Sequence, residues 1–172
     1  MSTAEHLLEL LRRHYIRNED SPTGVFAAEI GAPEEDRRAD LIWMGLTRAS
    51  GRQLIGHEIK VTRQDLRAEL ADPSKAEAWQ QYCDRWYLVV PHVALISGFD
   101  LPPEWGVLTP PAGRRRRSMT VEREAAELHP ANQAPGMRTV AAWLFWRHRR
   151  SELENERLKA SEDGRPDFGG AA

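Results

Sequence analysis

Three residues in this chain have the types and spacing to do chemistry. Asp40 lies inside the apolar run "ADLIWM", and Glu58 and Lys60 stand two positions apart in "GHEIKVT". A strand turns successive side chains to opposite faces, so Glu58 and Lys60 share one face and Ile55, Ile59 and Val61 the other. Two carboxylates brought within a few ångströms repel; they raise a pKa or take up a cation, and a hard divalent ion such as Mg²⁺ suits oxygen ligands. With positions kept for water and phosphate, such a site suits metal-assisted phosphodiester hydrolysis. Lys60 would then orient or deprotonate the attacking water, or neutralise charge developing on the phosphate. Arginine would serve poorly as the base because it keeps its proton. Of 24 basic residues only Lys60, Lys75 and Lys159 are lysine, so an arginine-rich chain keeps a lysine here. The competing reading is a cross-strand Glu–Lys pair on a solvated face, worth under about 1 kcal/mol. Chance alone supplies an acid-x-Lys triplet about 0.4 times in such a composition, so the triplet must be judged by its context.

That context is the set of elements that would carry it. Ala4, Leu7, Leu8, Leu10, Leu11 and Ile16 fall mainly on one side of a helix that ends near "NEDSPTG". "VFAAEI" reads either as a short strand or as the end of a helical connection. "RADLIWMGL" (38–46) reads as a strand, and "ASGRQ" turns it into a second one over 54–61, which predicts a hairpin with Asp40 near Glu58. Thr62 with Asp65 marks a helix start, Leu66 and Leu70 give its apolar contacts, and "ADPS" breaks it. Ser74 with Glu77 begins another helical run with Trp79, Tyr82 and Cys83 at inward spacing, and "RWYLVVP" reads as a strand buried on both faces. Helix, three strands, helix, strand is an α/β arrangement, more closely α+β, with a hairpin feeding a crossover and hence a mixed central sheet flanked by helices. Farther on, "EWGVLTP" and "RSMTVERE" read as short strands around "PAGRRRR", and "MRTVAAWLFWRHRR" as an apolar, then basic, helix.

The segments "RRADLIWM", "HEIKVTRQDL", "ADPSKAEAWQQYCDRWYLVVP" and "PPEWGVLTP" resemble the PD-(D/E)XK nuclease superfamily, the restriction-endonuclease-like fold, in its MmcB-like branch of small bacterial and phage proteins linked to DNA repair. The resemblance runs from about Glu29 to Pro110. It implies an αβββαβ core, Mg²⁺ or Mn²⁺ held by Asp40, Glu58 and the Ile59 carbonyl, and a catalytic Lys60. Glu29 matches an upstream acid that holds the metal or its water. Ala39-Asp40 replaces the Pro-Asp pair of the superfamily name. Ala78 stands four residues before Tyr82 where the exonuclease branch carries Gln, so a RecB-like processive exonuclease is not implied.

The rest of the chain bounds this expectation. At 172 residues, 41% hydrophobic and 29% charged, one globular domain over 1–150 is expected, followed by a polar helix end and a disordered tail over 151–172. There is no span-length apolar run and no signal-peptide core, so a cytoplasmic protein without membrane partners is expected. A single cysteine, Cys83, excludes an internal disulfide framework, and the six histidines show no paired metal spacing. The net charge of −2 requires any nucleic-acid affinity to be local. Arg114, Arg115, Arg116 and Arg117, on a hairpin tip, are candidates for gripping phosphate. Lys75 is another, and Asp65 and Asp84 could line the cleft, although Asp65 suits capping equally well. "RHRR" (147–150) is assigned to complementing a helix dipole, and Trp143, Phe145 and Trp146 to core or dimer contacts. The expectation is a Mg²⁺-dependent deoxyribonuclease, an endonuclease of DNA repair or of phage or bacterial DNA processing. It would act on DNA, with RNA open as a substrate and a homodimer as a possible assembly. The alternative is a non-catalytic DNA-binding or recruitment protein that keeps the fold.

Overall fold

The computed structural model describes residues 3–16, 23–33, 35–113, 118–130 and 132–163; the side chains of Lys75, Phe145, Arg149 and 160–163 are outside that description. Arg114 to Arg117 and the tail from 164 therefore lie outside the described residues.

The chain runs through α1 (Thr3–Tyr15), β1 (Gly24–Gly31), β2 (Arg38–Gly45), β3 (Leu54–Ile59), α2 (Arg63–Ala71), α3 (Ser74–Gln80) and β4 (Arg85–Val89). A short 3₁₀ turn (Val93–Ile96), β5 (Gly106–Thr109), β6 (Thr120–Arg123) and α4 (Gln133–Asp163) complete it. The expected helix, three strands, helix, strand order is present, with the middle helix divided in two. Among the described residues six strands lie in one sheet, in chain order. β1–β2, β2–β3 and β5–β6 are antiparallel, whereas β3–β4 and β4–β5 are parallel. The protein is thus α+β, with a mixed six-stranded sheet flanked by helices.

Both faces of the sheet are covered, which explains its run of apolar strands. On one face Leu7 and Leu11 of α1 pack on Leu41, Trp43, Ile55, Tyr87 and Val89. On the other, Trp79 of α3, Leu66 of α2 and Val140 of α4 pack on Ile42, Leu54, Trp86 and Leu88. Gly56 is needed on that second face, because a Cβ there would stand 2.1 Å from the Trp86 ring.

Several boundaries differ from the sequence expectation. "VFAAEI" belongs to a full strand, because β1 pairs along nearly all of β2. β3 ends at Ile59, although the Lys60 amide still donates to the Val89 carbonyl at 3.0 Å. Pro73 occupies the N-cap of α3, with no side-chain cap bond, and the Ser74 hydroxyl turns to Asp72 instead. Tyr82 and Cys83 are buried just past the end of α3. α4 starts earlier than expected, with Pro135 in its first turn where the missing N–H costs nothing, and runs on to Asp163. Among the described residues, no helix is long and apolar enough to cross a membrane.

Candidate active site

The β2–β3 ladder pairs Leu41 with His57 and stops there. Asp40 and Glu58 are the next residues in that register, and two residues opposite each other in an antiparallel pair direct their side chains to the same face. Where the ladder ends, the Asp40 side chain takes over from a backbone acceptor: its Oδ2 accepts a hydrogen bond from the Ile59 N–H at 2.6 Å. That bond fixes the Asp40 carboxylate beside the end of β3. Lys60 Nζ then bridges two carboxylates, donating to Glu58 Oε1 in direct contact and to Glu69 Oε2 at 3.0 Å.

Glu69 was not singled out by the sequence reading. It lies on α2, three residues after Leu66 and one before Leu70, so it shares the helix's inward stripe and is 2% exposed. An acid on an apolar helix face was the signal available. Thr62 starts this helix as expected, accepting from the Asp65 N–H at 3.1 Å, while Asp65 Oδ2 accepts from the Thr62 hydroxyl at 2.6 Å. Asp65 is therefore a capping partner.

The electrostatics follow from crowding and burial. Burial, then Asp40, push Glu58 up to about 8 despite the nearby Lys60. Burial also raises Asp40, with Glu29 and Glu69 adding to it; the Ile59 N–H and Lys60 work the other way. Burial pulls Lys60 down, but the Glu58 and Glu69 carboxylates outweigh it and leave its pKa above the ordinary value. Lys60 is consequently an ammonium, which suits it to stabilising negative charge rather than to acting as a base. Asp36, Arg37, Arg38, Glu58, Lys60 and Glu69 line a cavity of about 260 Å³. Arg38, two residues before Asp40 on β2, thus joins the site at its rim, and Arg37 pairs with Asp72 at 3.5 Å.

The other candidates separate. Glu29 falls opposite Asp40 in the β1–β2 register and its charge reaches Asp40, but its backbone is left-handed (φ 52) and its side chain is exposed. Among the described residues, no three His, Cys, Asp or Glu side chains are gathered so as to hold a metal ion. Asp84 is not in the cleft: its Oδ2 accepts from the Leu54 N–H at 2.7 Å and from the Gln133 side chain, at the opposite end of β3. His57 occupies the other face of β3, where Nδ1 donates to the Leu41 carbonyl (3.2 Å) and Nε2 accepts from the Tyr15 hydroxyl (2.7 Å). Burial holds its pKa down to about 3, so it is neutral. Trp143 packs on the core, whereas Trp146 is exposed. Arg147 lies over the Phe26 and Trp143 rings.

Fold and site together define an α+β protein whose central hairpin and following helix gather a carboxylate–lysine cluster at the end of a mixed sheet. No protein-family model matches the chain, and no curated protein does. Among solved structures it is similar to a protein of unknown function from Silicibacter pomeroyi, with 22% identity, a TM-score of 0.57, and coverage of 92% of this chain and 94% of that one. That likeness shows the fold.

Proposed function

We propose that the protein is a metal-dependent DNA nuclease, an endonuclease hydrolysing phosphodiester bonds in DNA repair or in phage or bacterial DNA processing. The observation that carries this reading is the pairing of Asp40 and Glu58 beside Lys60. Each carboxylate has one oxygen engaged, by the Ile59 N–H or by Lys60, and the other without a hydrogen-bond partner among the described residues.

This donor set fits Mg²⁺ or Mn²⁺. Mg²⁺ is commonly held by one or two carboxylates, with water and substrate phosphate completing its shell, so a third acidic side chain is not required. Crowded, buried carboxylates with raised pKa values are also what a bound divalent cation would relieve. Asp40 and Glu58 would hold it, with the Ile59 carbonyl as the third ligand that the family resemblance implies. When bound, the cation would supply Lewis-acid stabilisation of phosphoryl charge. The chain's own groups do the rest. The Ile59 N–H orients Asp40, Lys60 balances negative charge developing on the phosphate, and Arg38 at the rim attracts the incoming backbone. Arg114 to Arg117 and Lys75 remain proposed phosphate contacts, and pairing of two copies a proposed assembly.

The second reading, a DNA-binding protein without catalysis, is favoured by the Lys60–Glu58 bridge, which occupies one of the two ligand carboxylates. A Mg²⁺ and Mn²⁺ titration with duplex, single-stranded and branched DNA and RNA separates the two. The nuclease reading expects cleavage that needs the ion and falls by at least about a hundredfold in Asp40→Asn, Glu58→Gln and Lys60→Ala. Undiminished cleavage by all three variants would sink it. Salt-dependent DNA binding without cleavage would leave the second reading, and preference for RNA would redirect the substrate.

A further inference from the structure

Glu69 is a buried carboxylate whose Oε2 contacts Lys60 at 3.0 Å and whose Oε1 is enclosed without any hydrogen-bond partner among the described residues. Buried charges persist when they are paired. Here the pairing partner is Lys60, which Glu69 shares with Glu58, while Asp40 feels the same ammonium without contacting it.

We infer that Glu69 is a positioning residue that holds Lys60 in the site and so frees Glu58 to bind a divalent cation. This rests on the metal site of the nuclease reading. An ammonium has donors and no acceptor. With Glu69 in place, Lys60 keeps a charge-assisted hydrogen bond when Glu58 turns to a cation. Without it, Glu58 is the remaining partner of a largely buried ammonium, and the cation must compete with that ammonium for the carboxylate. Glu69 thus acts on cation affinity through Lys60, without touching the ion.

A double-mutant cycle on Mn²⁺ binding to the full chain, measured by calorimetry without nucleic acid, tests this. Glu69→Gln is expected to weaken Mn²⁺ binding about tenfold when Lys60 is present, and less than about twofold in the Lys60→Ala background. Equal weakening in both backgrounds would make Glu69 a direct electrostatic contributor and overturn the inference, as would no weakening in either. Should Glu69→Gln not fold, Glu69→Asp withdraws the carboxylate by one methylene. Its expected loss is about threefold, again abolished by Lys60→Ala; a loss that survives Lys60→Ala overturns the inference. A chain that binds Mn²⁺ with this coupling and cuts nothing would sink the nuclease reading alone. A wild-type chain with no Mn²⁺ affinity overturns both.

Discussion

Glu58 and His57 are sequence neighbours on opposite faces of β3, and burial moves their titrations in opposite directions. Glu58 is raised from 4.5 to about 8, so between those values the folded protein holds a proton that the unfolded chain has released. Its contribution to stability therefore falls as pH rises through that window, by roughly 1.4 kcal/mol per pH unit. Asp40, also raised, adds with the same sign. His57 is lowered from 6.5 to about 3, so between those values the unfolded chain binds the extra proton and stability falls as pH falls. The two slopes oppose each other where the windows overlap. Without divalent cation, the loss attributable to Glu58 should emerge above about pH 6.5 and reach about 2 kcal/mol by about pH 8. Urea unfolding across that range should show the decline in wild type and little of it in Glu58→Gln; an identical slope in both would be evidence against the crowded-carboxylate account. The convergence of Asp40, Glu58 and Lys60 was legible in the sequence because alternation along a strand fixes which side chains share a face. Glu69 was not, because nothing in a helical stripe says which sheet residue its acid will meet.

At the scale of elements, α2 matters because it delivers Glu69 and because it begins where β3 ends. Its start rests on Thr62, whose hydroxyl accepts from the Asp65 N–H. Thr62→Ala should cost about 1 kcal/mol, read as a lower urea midpoint with an unchanged slope. The hairpin, this cap and the buried β4 were each readable, since turn residues, capping pairs and apolar runs act locally. β1 was ambiguous because "VFAAEI" is apolar at both helical and strand spacing, and its partner β2 decided the matter. Asp84 misled for a similar reason. An acid before a buried strand suits a cleft or a backbone amide equally, and here it meets the Leu54 amide.

For the whole molecule, two sheet faces buried under separate helix sets leave the charged cavity at the ends of the strands open, and the proposed nuclease reading would have substrate enter there. The far end of α4 takes no part in this: residues 151–159 are exposed along the helix. Removing 151–172 should shift the melting temperature by no more than about 2 °C, checked by calorimetry; a larger loss would mean that this segment is covered in solution. The position of the cluster also bears on kinetics. Asp40, Glu58, Lys60 and Glu69 come from one continuous stretch, a hairpin and the helix after it, whereas β4 must be brought back across a crossover to lie beside β3. Local contacts form before such closures. The carboxylates therefore stay hydrated through the early steps, and the cost of burying and crowding them is felt when β4 and the helices shut water out. A cost incurred that late lies on the native side of the barrier. Relieving it with Glu58→Gln should slow unfolding several-fold while leaving the refolding rate nearly unchanged, which stopped-flow measurements of both limbs would check, so that the same cluster sets the lifetime of the folded state.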